Sequence, residues 1–329
     1  MTASLLARPR AQSLLESFQR LPVLVVGDLM LDVSVFGDVE RVSPEAPVPI
    51  VRVARESTGP GGAANVARNL AALGARPILA GVVGRDEGGR RLADLVRELG
   101  IPAGGILESA ERPTTVKTRV VARRQQMLRF DRETDRPLSP TDESALLERV
   151  RALWDGARAL IVSDYDKGVI TPGLLADLLP AARERSLPVA VDPKIRNFPL
   201  YRPITAITPN RGEAARALKL PVRTDAEVEA AGRAIQERLG HPLVMLTLGE
   251  GGVALFEPHG PLTRIPASAR EVFDVSGAGD TVVAALALGL AAGASPVEAA
   301  ALANAAAGVV VGKLGTAVAT SAEILFSLF

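Results

Sequence analysis

The chain lacks several features on which particular classes of function depend. It has no cysteine in 329 residues, which excludes disulfides, a thiol nucleophile and thiolate-bound zinc. Its 38 lysines and arginines almost balance its 37 aspartates and glutamates, so the net charge of +1 predicts neither nucleic acid nor an anionic membrane as the main partner. No apolar run is long enough to cross a bilayer, and the first 21 residues lack the continuous apolar core of a signal peptide. We therefore expect a cytoplasmic protein.

Apolar, β-branched runs alternate with amphipathic helical patterns along most of the chain. This alternation predicts an α/β fold with a mostly parallel sheet covered by helices on both faces. Ligands of such sheets bind beyond the carboxyl ends of the strands. The polar and glycine residues predicted to lie at those ends are Asp28, Asp164, Asp192, Asn210 and Gly249.

Two segments depart from this alternation. "PVPIVRVARES" (47–57) and "TTVKTRVVARRQQMLRFDRE" (114–133) alternate apolar with polar residues, as strands of a sheet with one covered face do. We interpret them as a small β lid, built from two excursions at about 34–58 and 113–133 of a single domain that spans 1–329. Because such a lid would expose an apolar face and open edges, we expect a homodimer in which two lids pair.

The stretch "VFDVSGAGDT" (272–281) places small residues before an apolar helical run. Gly277, Ala278 and Gly279 would leave the first N–H groups of that helix accessible, which makes a site for an anion such as a phosphate. Asp280, beside such an anion, could take the proton of a hydroxyl that attacks a phosphoryl group. The alternative is that Asp280 only caps the helix.

Two other phosphate-binding patterns fail in their context. No Gly-Lys-Ser/Thr follows the glycines, so the stretch is not a P-loop. "GEGGVA" (249–254) fits the dinucleotide pattern, but a second strand and not a helix is predicted after it. A dehydrogenase is therefore not indicated.

Four motifs in order resemble those of the ribokinase-like sugar kinases, also called the phosphofructokinase-B family. They are "GGAANVARNLAALG" (61–74), "TPNRGE" (208–213), "LTLGEGG" (246–252) and "DVSGAGDT" (274–281). Ser276 stands where the family more often has threonine, and it retains the hydroxyl. The resemblance implies a ribokinase-like fold and phosphoryl transfer from ATP to a sugar hydroxyl with Mg²⁺. It leaves open a requirement for a monovalent cation such as K⁺.

The same resemblance implies roles for individual residues. Asp280 would be the catalytic base, and Gly277, Ala278 and Gly279 the anion hole. The sugar would be contacted by Asp32, Gly61, Gly62 and Asn65. Mg²⁺ would be held, through water, by Asn210 and Glu213. The nucleotide would be bound by Lys194, Asn210, Thr247, Gly249, Gly252 and Asn304. Structural alternatives exist for several of these residues. Asn65 could be a helix-surface amide, Asp32 a turn residue, and Asn210 and Glu213 an ordinary helix start with a first-turn glutamate. Lys194 could be a solvated side chain and Asn304 a polar residue in a buried helix.

Four further stretches resemble one subgroup, the kinase half of the bacterial bifunctional heptose 7-phosphate kinase/heptose 1-phosphate adenylyltransferases. They are "RVSPEAPVPIVRV" (41–53), "QQMLRFDRE" (125–133), "SDYDKGV" (163–169) and "VDPK" (191–194). The His-x-Gly-His motif of the adenylyltransferase half is absent. This resemblance implies phosphorylation of the anomeric hydroxyl of D-glycero-D-manno-heptose 7-phosphate, a step toward ADP-heptose and the lipopolysaccharide core.

A substrate phosphate would need cationic partners on the lid, and the sequence supplies arginines there. The candidates by location are Arg41, Arg123, Arg124 and Arg129. Two alternatives remain open from the sequence. One is a kinase of the same fold that acts on fructose, ribose, fructose 6-phosphate or a ketodeoxy sugar acid, and the other is a sugar or nucleotide sensor without catalysis.

Overall fold

The structure is a computed structural model, which describes residues 5–123, 125–258, 260–268 and 271–329. Thirteen strands lie in these ranges: β1 (Pro22–Gly27), β2 (Leu29–Val42), β3 (Pro49–Gly62), β4 (Arg76–Gly84), β5 (Gly105–Ser109), β6 (Thr115–Ala122), β7 (Gln125–Arg132), β8 (Ala159–Ser163), β9 (Val189–Asp192), β10 (Ala206–Ile207), β11 (Leu243–Thr247), β12 (Val253–Phe256) and β13 (Leu262–Ile265).

Ten α-helices connect or follow these strands: α1 (Arg8–Ser17), α2 (Ala63–Ala72), α3 (Glu87–Glu98), α4 (Pro140–Leu153), α5 (Pro172–Glu184), α6 (Arg211–Leu218), α7 (Asp225–Leu239), α8 (Ala278–Ala291), α9 (Pro296–Val311) and α10 (Ser321–Leu328). In the part of the chain that the structure describes, none of them has the length and apolarity that a membrane span requires.

Nine strands form one large sheet in the order β13-β12-β11-β10-β9-β8-β1-β4-β5. All neighbouring pairs from β11 to β5 are parallel, and only β12 and β13 run antiparallel to their neighbours. Along β1 the buried side chains alternate between two cores. Val23 and Val25 join the core that contains α2, α8 and α9, whereas Leu24 and Val26 join the core that contains α4, α5 and α7. The predicted parallel sheet with helices on both faces is confirmed.

The other four strands form the lid, a smaller sheet in the order β3-β2-β6-β7. The pairs β2–β3 and β6–β7 are antiparallel, and β2 runs parallel to β6, so the two excursions join side by side in a mixed sheet. The predicted β lid is therefore confirmed. β2 begins at Leu29, directly after β1, and β3 ends at Gly62, directly before α2, so the base of the lid reaches the carboxyl end of the large sheet. That residues 1–329 form a single domain stays a prediction.

Candidate active site

Two helices, α2 and α8, begin at the same place without a side-chain cap. Their N-cap residues are Gly62 and Gly277, both with positive φ (58° and 80°), and neither makes a side-chain capping bond. By contrast, all helices from α3 to α7 and both α9 and α10 begin with a capping side chain. A Cβ on Gly277 would lie 2.8 Å from Nδ2 of Asn65, whereas one on Gly279 would meet nothing within 4 Å among the described residues. The α8 terminus thus combines uncapped donors with open space, which is the geometry that an anion needs.

Asp280 lies in the first turn of α8 and is only 3% exposed. Its Oδ2 accepts a hydrogen bond of 2.7 Å from Nδ2 of Asn65, and its Oδ1 accepts one of 2.7 Å from the hydroxyl of Tyr165. Burial raises the pKa of Asp280 to about 6, against the opposing effect of these two hydrogen bonds. A carboxylate with this pKa is ionised near neutral pH and can still accept a proton, as a general base must.

The residues predicted to contact the sugar surround this carboxylate on the side of the lid. Asn65 is fully buried, and its Oδ1 has no hydrogen-bond partner among the described residues. A buried acceptor without a protein partner is costly unless a ligand donor satisfies it, and a sugar hydroxyl is such a donor. Asp32, on β2, forms an ion pair of 2.5 Å with Nη1 of Arg119 on β6. A Cβ on Gly61 would lie 2.5 Å from Oδ2 of Asp32, so a side chain at position 61 would displace that carboxylate.

Gly62 has a different reason to be glycine. Its positive φ directs the chain into α2, and a Cβ there would overlap the carbonyl oxygen of Asp28. The same carbonyl accepts the N–H of Ala63 at 2.9 Å. The structure therefore brings Asp32, Gly61, Gly62 and Asn65 together, with the two glycines acting through the backbone.

The lid arginines are not equivalent. Arg41 is exposed near the end of β2, and Arg123 donates to the carbonyl oxygen of Val39. Arg124 lies outside the described residues. Arg129, on β7, pairs with Asp131 at 3.1 Å and lies directly opposite Arg119 in the β6–β7 register. Opposite residues of an antiparallel pair share one face, so Arg119 and Arg129 form a cationic pair on the face that carries Asp32.

The residues predicted to hold Mg²⁺ form the start of α6. Asn210 and Glu213 make a capping box, in which Oδ1 of Asn210 accepts the N–H of Glu213 and Oε2 of Glu213 accepts the N–H of Asn210. Oε1 of Glu213 accepts a hydrogen bond from Nζ of Lys194, so the lysine is paired and not free in solvent. No cluster of three or more His, Cys, Asp or Glu side chains in the described ranges could enclose a metal.

Asp192, at the end of β9, stands beside this group. It is 6% exposed, and burial, with Glu213, Asp280 and Asp164 nearby, raises its pKa to about 8. Lys194 acts in the opposite direction. This excess of carboxylates fits a hydrated Mg²⁺, which binds proteins through one or two carboxylates and takes its other ligands from phosphates and water.

The remaining nucleotide candidates lie along β11 and α9. Thr247 forms an isolated parallel bridge with Asn210, which brings the two motifs "TPNRGE" and "LTLGEGG" together. Gly249 has a φ of 61°, and a Cβ there would meet no described atom within 4 Å. Gly252 and Asn304 have structural roles. A Cβ on Gly252 would overlap the carbonyl oxygen of Ile265. Nδ2 of Asn304 donates to the carbonyl oxygen of Pro266 at 2.9 Å.

Sequence reasoning missed two side chains of this site, Tyr165 and Arg119. Tyr165 lies in "SDYDKGV", just beyond the strand end at which Asp164 was noted, and it is one of only two tyrosines in the chain. The position of Tyr165 directly after a buried parallel strand is the signal that could have indicated it as a site residue. Arg119 gave no local signal, because only the pairing of β2 with β6 brings it to Asp32.

Comparison with known proteins agrees with this geometry. Residues 21–323 match the family described as pfkB family carbohydrate kinase. The chain is 47% identical over 311 residues to the bifunctional protein HldE of Gluconacetobacter diazotrophicus, and 46% identical over 321 residues to that of Geobacter sulfurreducens. These matches cover 94% and 98% of this chain but only 64% and 66% of the relatives. The chain thus spans less than two thirds of the length of these relatives.

Solved structures share the fold at lower identity. The Arabidopsis thaliana ribokinase complexed with ribose and ATP matches with a TM-score of 0.74 and 22% identity, over 94% of this chain and 99% of that one. The Escherichia coli phosphofructokinase-2 in complex with potassium matches with a TM-score of 0.78 and 20% identity, over 94% and 98%. The fold is therefore ribokinase-like. With the family match over residues 21–323, the chain belongs to the pfkB family of carbohydrate kinases, phosphotransferases that act on an alcohol group.

Proposed function

We propose that this kinase transfers the γ-phosphoryl group of ATP to the anomeric hydroxyl of D-glycero-D-manno-heptose 7-phosphate, which gives the 1,7-bisphosphate and ADP. The observation that carries the kinase chemistry is the position of Asp280, a buried carboxylate at the uncapped start of α8. The heptose assignment is supported by the resemblance of the lid and strand-end motifs to the heptose kinases. The 47% identity to a bifunctional HldE protein is compatible with it.

In the proposed reaction, Asp280 accepts the proton of the sugar hydroxyl as its oxygen attacks the γ-phosphorus. The bond between the γ-phosphorus and the β–γ bridging oxygen breaks, and ADP carries away that electron pair. The N–H groups of Gly277 and Gly279 stabilise the charge on the transferring group, aided by the positive end of the helix dipole. The N–H of Ala278 donates to the carbonyl oxygen of Val275 at 3.2 Å, so it would contribute only after that bond opens. Asn65 orients Asp280 through Nδ2 and offers its unpartnered Oδ1 to a second sugar hydroxyl.

The nucleotide would lie beyond the ends of β9 to β11. Lys194, Thr247, Gly249 and Gly252 would line it, with Asn304 at its far end. Asn210 and Glu213 would hold Mg²⁺ through water, because their own side chains are engaged in the capping box. Bound Mg²⁺ would neutralise charge on the phosphates. A requirement for K⁺ is open to direct assay with and without that cation.

Replacement of Asp280 by Asn tests the kinase assignment. We expect Asp280→Asn to fold and bind ATP but to lose at least ~10² in kcat, the lower range for removal of a general base. The matched control is Asp225→Asn, which alters an exposed carboxylate in the first turn of α7 and should leave kcat unchanged. If folded Asp280→Asn turns over at close to the wild-type rate, Asp280 is only a helix cap and not the general base. Absence of Mg²⁺-dependent ATP turnover with every sugar would favour a sensor.

The substrate phosphate is proposed to bind Arg119 and Arg129. The two guanidinium groups lie directly opposite each other on β6 and β7, each with one carboxylate partner, Asp32 for Arg119 and Asp131 for Arg129. Their remaining N–H donors could bind a phosphate placed between them. Arg119 is only 27% exposed, so its charge is partly removed from water.

A substrate panel and one lid variant test this proposal. We expect kcat/KM to be highest for heptose 7-phosphate among that sugar, fructose 6-phosphate, fructose, ribose and a ketodeoxy sugar acid. Arg129→Gln should raise KM for the heptose phosphate by about 10-fold or more, the cost of losing a charge-assisted hydrogen bond, with KM for ATP unchanged. Arg52→Gln, on an exposed part of β3, is the control. If an unphosphorylated sugar is preferred, the heptose assignment is wrong while the kinase assignment survives.

A further inference from the structure

Tyr165 contacts the proposed base directly, although 115 positions separate the two residues in the chain. Its hydroxyl donates to Oδ1 of Asp280 at 2.7 Å, while Asn65 donates to Oδ2 at the same distance. Both carboxylate oxygens are therefore held, one by a residue of α2 and one by a residue that follows β8. This arrangement fixes the plane of the carboxylate from two sides.

The backbone of Tyr165 is itself anchored. Asp28, at the end of β1, is 1% exposed and accepts the N–H groups of Tyr165 at 2.7 Å, Lys167 at 3.2 Å and Val169 at 3.0 Å. Three backbone donors on one buried carboxylate hold the whole 165–169 loop against the sheet. Asp164, on the other side of Tyr165, accepts hydrogen bonds from Asp166, Asn197 and Tyr201.

The ring of Tyr165 lies toward the proposed nucleotide side of the site. Nζ of Lys194 is 5.0 Å from the ring centroid, within the range of a cation–π contact, and the same ammonium group pairs with Glu213. Tyr165 therefore lies between Asp280 and Lys194. No other tyrosine in the described residues contacts Asp280.

We propose that Tyr165 is a positioning residue for the phosphoryl-transfer reaction, which holds Asp280 in the orientation and the ionised state that a general base requires. This inference rests on the proposed function of Asp280. A hydroxyl that donates to a carboxylate stabilises the charged form, so the contact acts on proton affinity as well as on geometry. Tyr165 keeps its own proton, because burial and the neighbouring Asp280 raise its pKa well above its usual value.

Other charged groups that face Asp280 set the background for this effect. Asp32, from β2, raises the pKa of Asp280, and Lys194, after β9, lowers it. Asp192, at the end of β9, is a further carboxylate on that side. Arg119 pairs with Asp32 and so reduces its influence. None of these groups is altered when the Tyr165 hydroxyl is removed.

The decisive measurement is the pH dependence of kcat in Tyr165→Phe with heptose 7-phosphate and ATP. We expect the acid limb to move to higher pH by about one unit, the shift that corresponds to one hydrogen bond lost from an ionised carboxylate. At pH values below the limb, kcat should therefore fall about 10-fold relative to the wild type, with KM for ATP unchanged. The comparison variant is Tyr201→Phe, which removes the other tyrosine hydroxyl, bonded to Asp164 and to the backbone N–H of Lys194 but not to Asp280. It should not move the limb.

Two outcomes would overturn the inference. An unmoved acid limb in folded Tyr165→Phe would mean that the hydroxyl has no influence on the base. A lower KM for the sugar, without a shift of the limb, would mean that the hydroxyl merely occupies the place of a substrate hydroxyl. Asp280→Asn is assayed beside these variants. If Asp280→Asn retains turnover, the assignment of Asp280 as the base is wrong. If Asp280→Asn is inactive and the acid limb of Tyr165→Phe is unmoved, only the role of Tyr165 is refuted.

A second measurement does not depend on any substrate. In the Tyr201→Phe background Tyr165 is the only tyrosine, so its ionisation can be followed by ultraviolet absorbance as pH rises. We expect Asp280→Asn in this background to lower the pKa of Tyr165, because the neighbouring negative charge is removed. An identical titration with and without the Asp280 carboxylate would contradict the contact itself.

Discussion

Two buried aspartates at the site, Asp28 and Asp280, have different roles because their hydrogen-bond partners differ. Burial raises the pKa of each to about 6. Asp28 is satisfied by three backbone N–H groups and therefore acts as a structural anchor. Asp280 is held by two side chains, at the mouth of an uncapped helix, and keeps capacity to accept a proton. The same side chain at a similar pKa thus serves two purposes.

The pKa of Asp280 leads to a prediction about pH. Because the base must be ionised, kcat should fall as pH decreases through about 6, the value to which burial raises the pKa. The measurement is kcat between about pH 5 and pH 8 at saturating substrates, with circular dichroism at each pH. A kcat that stays constant to the lowest pH, in folded protein, would contradict the role of Asp280.

Titration of Asp28 and Asp280 does not unfold the protein at low pH, so it cannot produce the same fall in kcat by loss of structure. A carboxyl group whose folded pKa is raised above its unfolded value contributes stability that is complete below the unfolded pKa, near 4. That contribution is lost as pH rises through the folded value of about 6, for Asp28 as for Asp280. Acidification therefore favours the folded state at these two positions while it removes the proposed base.

At the scale of elements, the two helices that begin beside Asp280 differ from the capped helices of the chain. Capping boxes close α6, α7, α9 and α10, whereas the glycines before α2 and α8 leave their termini open at the site. An open terminus forgoes a capping interaction that is typically worth ~1 kcal/mol. The two open ends face one another through the bond from Asn65 to Asp280.

The packing of α7 on β12 gives a prediction about stability. Gly232, in the middle of α7, lies against the ring of Phe256, which is fully buried, and a Cβ there would overlap the ring atoms. Although alanine favours a helix over glycine by ~1 kcal/mol, we expect Gly232→Ala to lower the free energy of unfolding by ~1–3 kcal/mol through overpacking. Urea denaturation measures it. Gly104→Ala, where a Cβ meets nothing within 4 Å, is the control. Unchanged or increased stability of Gly232→Ala would contradict the close packing.

At the scale of the whole molecule, the lid leaves an apolar surface uncovered. Its exposed large apolar side chains are Val42, Val48, Val53, Met127, Leu128 and Phe130. Exposed apolar groups concentrated on one small sheet favour association, and the edges at β3 and β7 have no further strand partner among the described residues. The homodimer through paired lids, expected from the sequence, stays a prediction.

Sedimentation of lid variants tests the predicted homodimer. We expect the wild-type protein to sediment as a dimer at micromolar concentration and Leu128→Lys/Phe130→Glu to sediment as a monomer with an unchanged circular dichroism spectrum. The control is Phe326→Glu on α10, an aromatic residue that is 85% exposed but distant from the lid in sequence. A monomeric wild type, or a double variant that remains dimeric, would contradict pairing through the lid.

The sequence by itself determined the parallel sheet, the existence of the lid and the open start of α8. These features follow from short-range patterns: apolar runs, alternation of polar and apolar residues, and small residues before a helix. It also indicated Asp280, Asn65 and Asp32 as neighbours, through the roles that the family resemblance implies for them.

Only the tertiary structure decided which side chains complete the site. Tyr165 reaches Asp280 because α8 packs against β8, and Arg119 reaches Asp32 because β6 pairs with β2. An apolar run specifies that a strand is buried but not which strand lies beside it, since any parallel neighbour satisfies the same hydrogen bonds. The order of the strands, set by packing of the whole chain, therefore placed the two residues that local patterns could not.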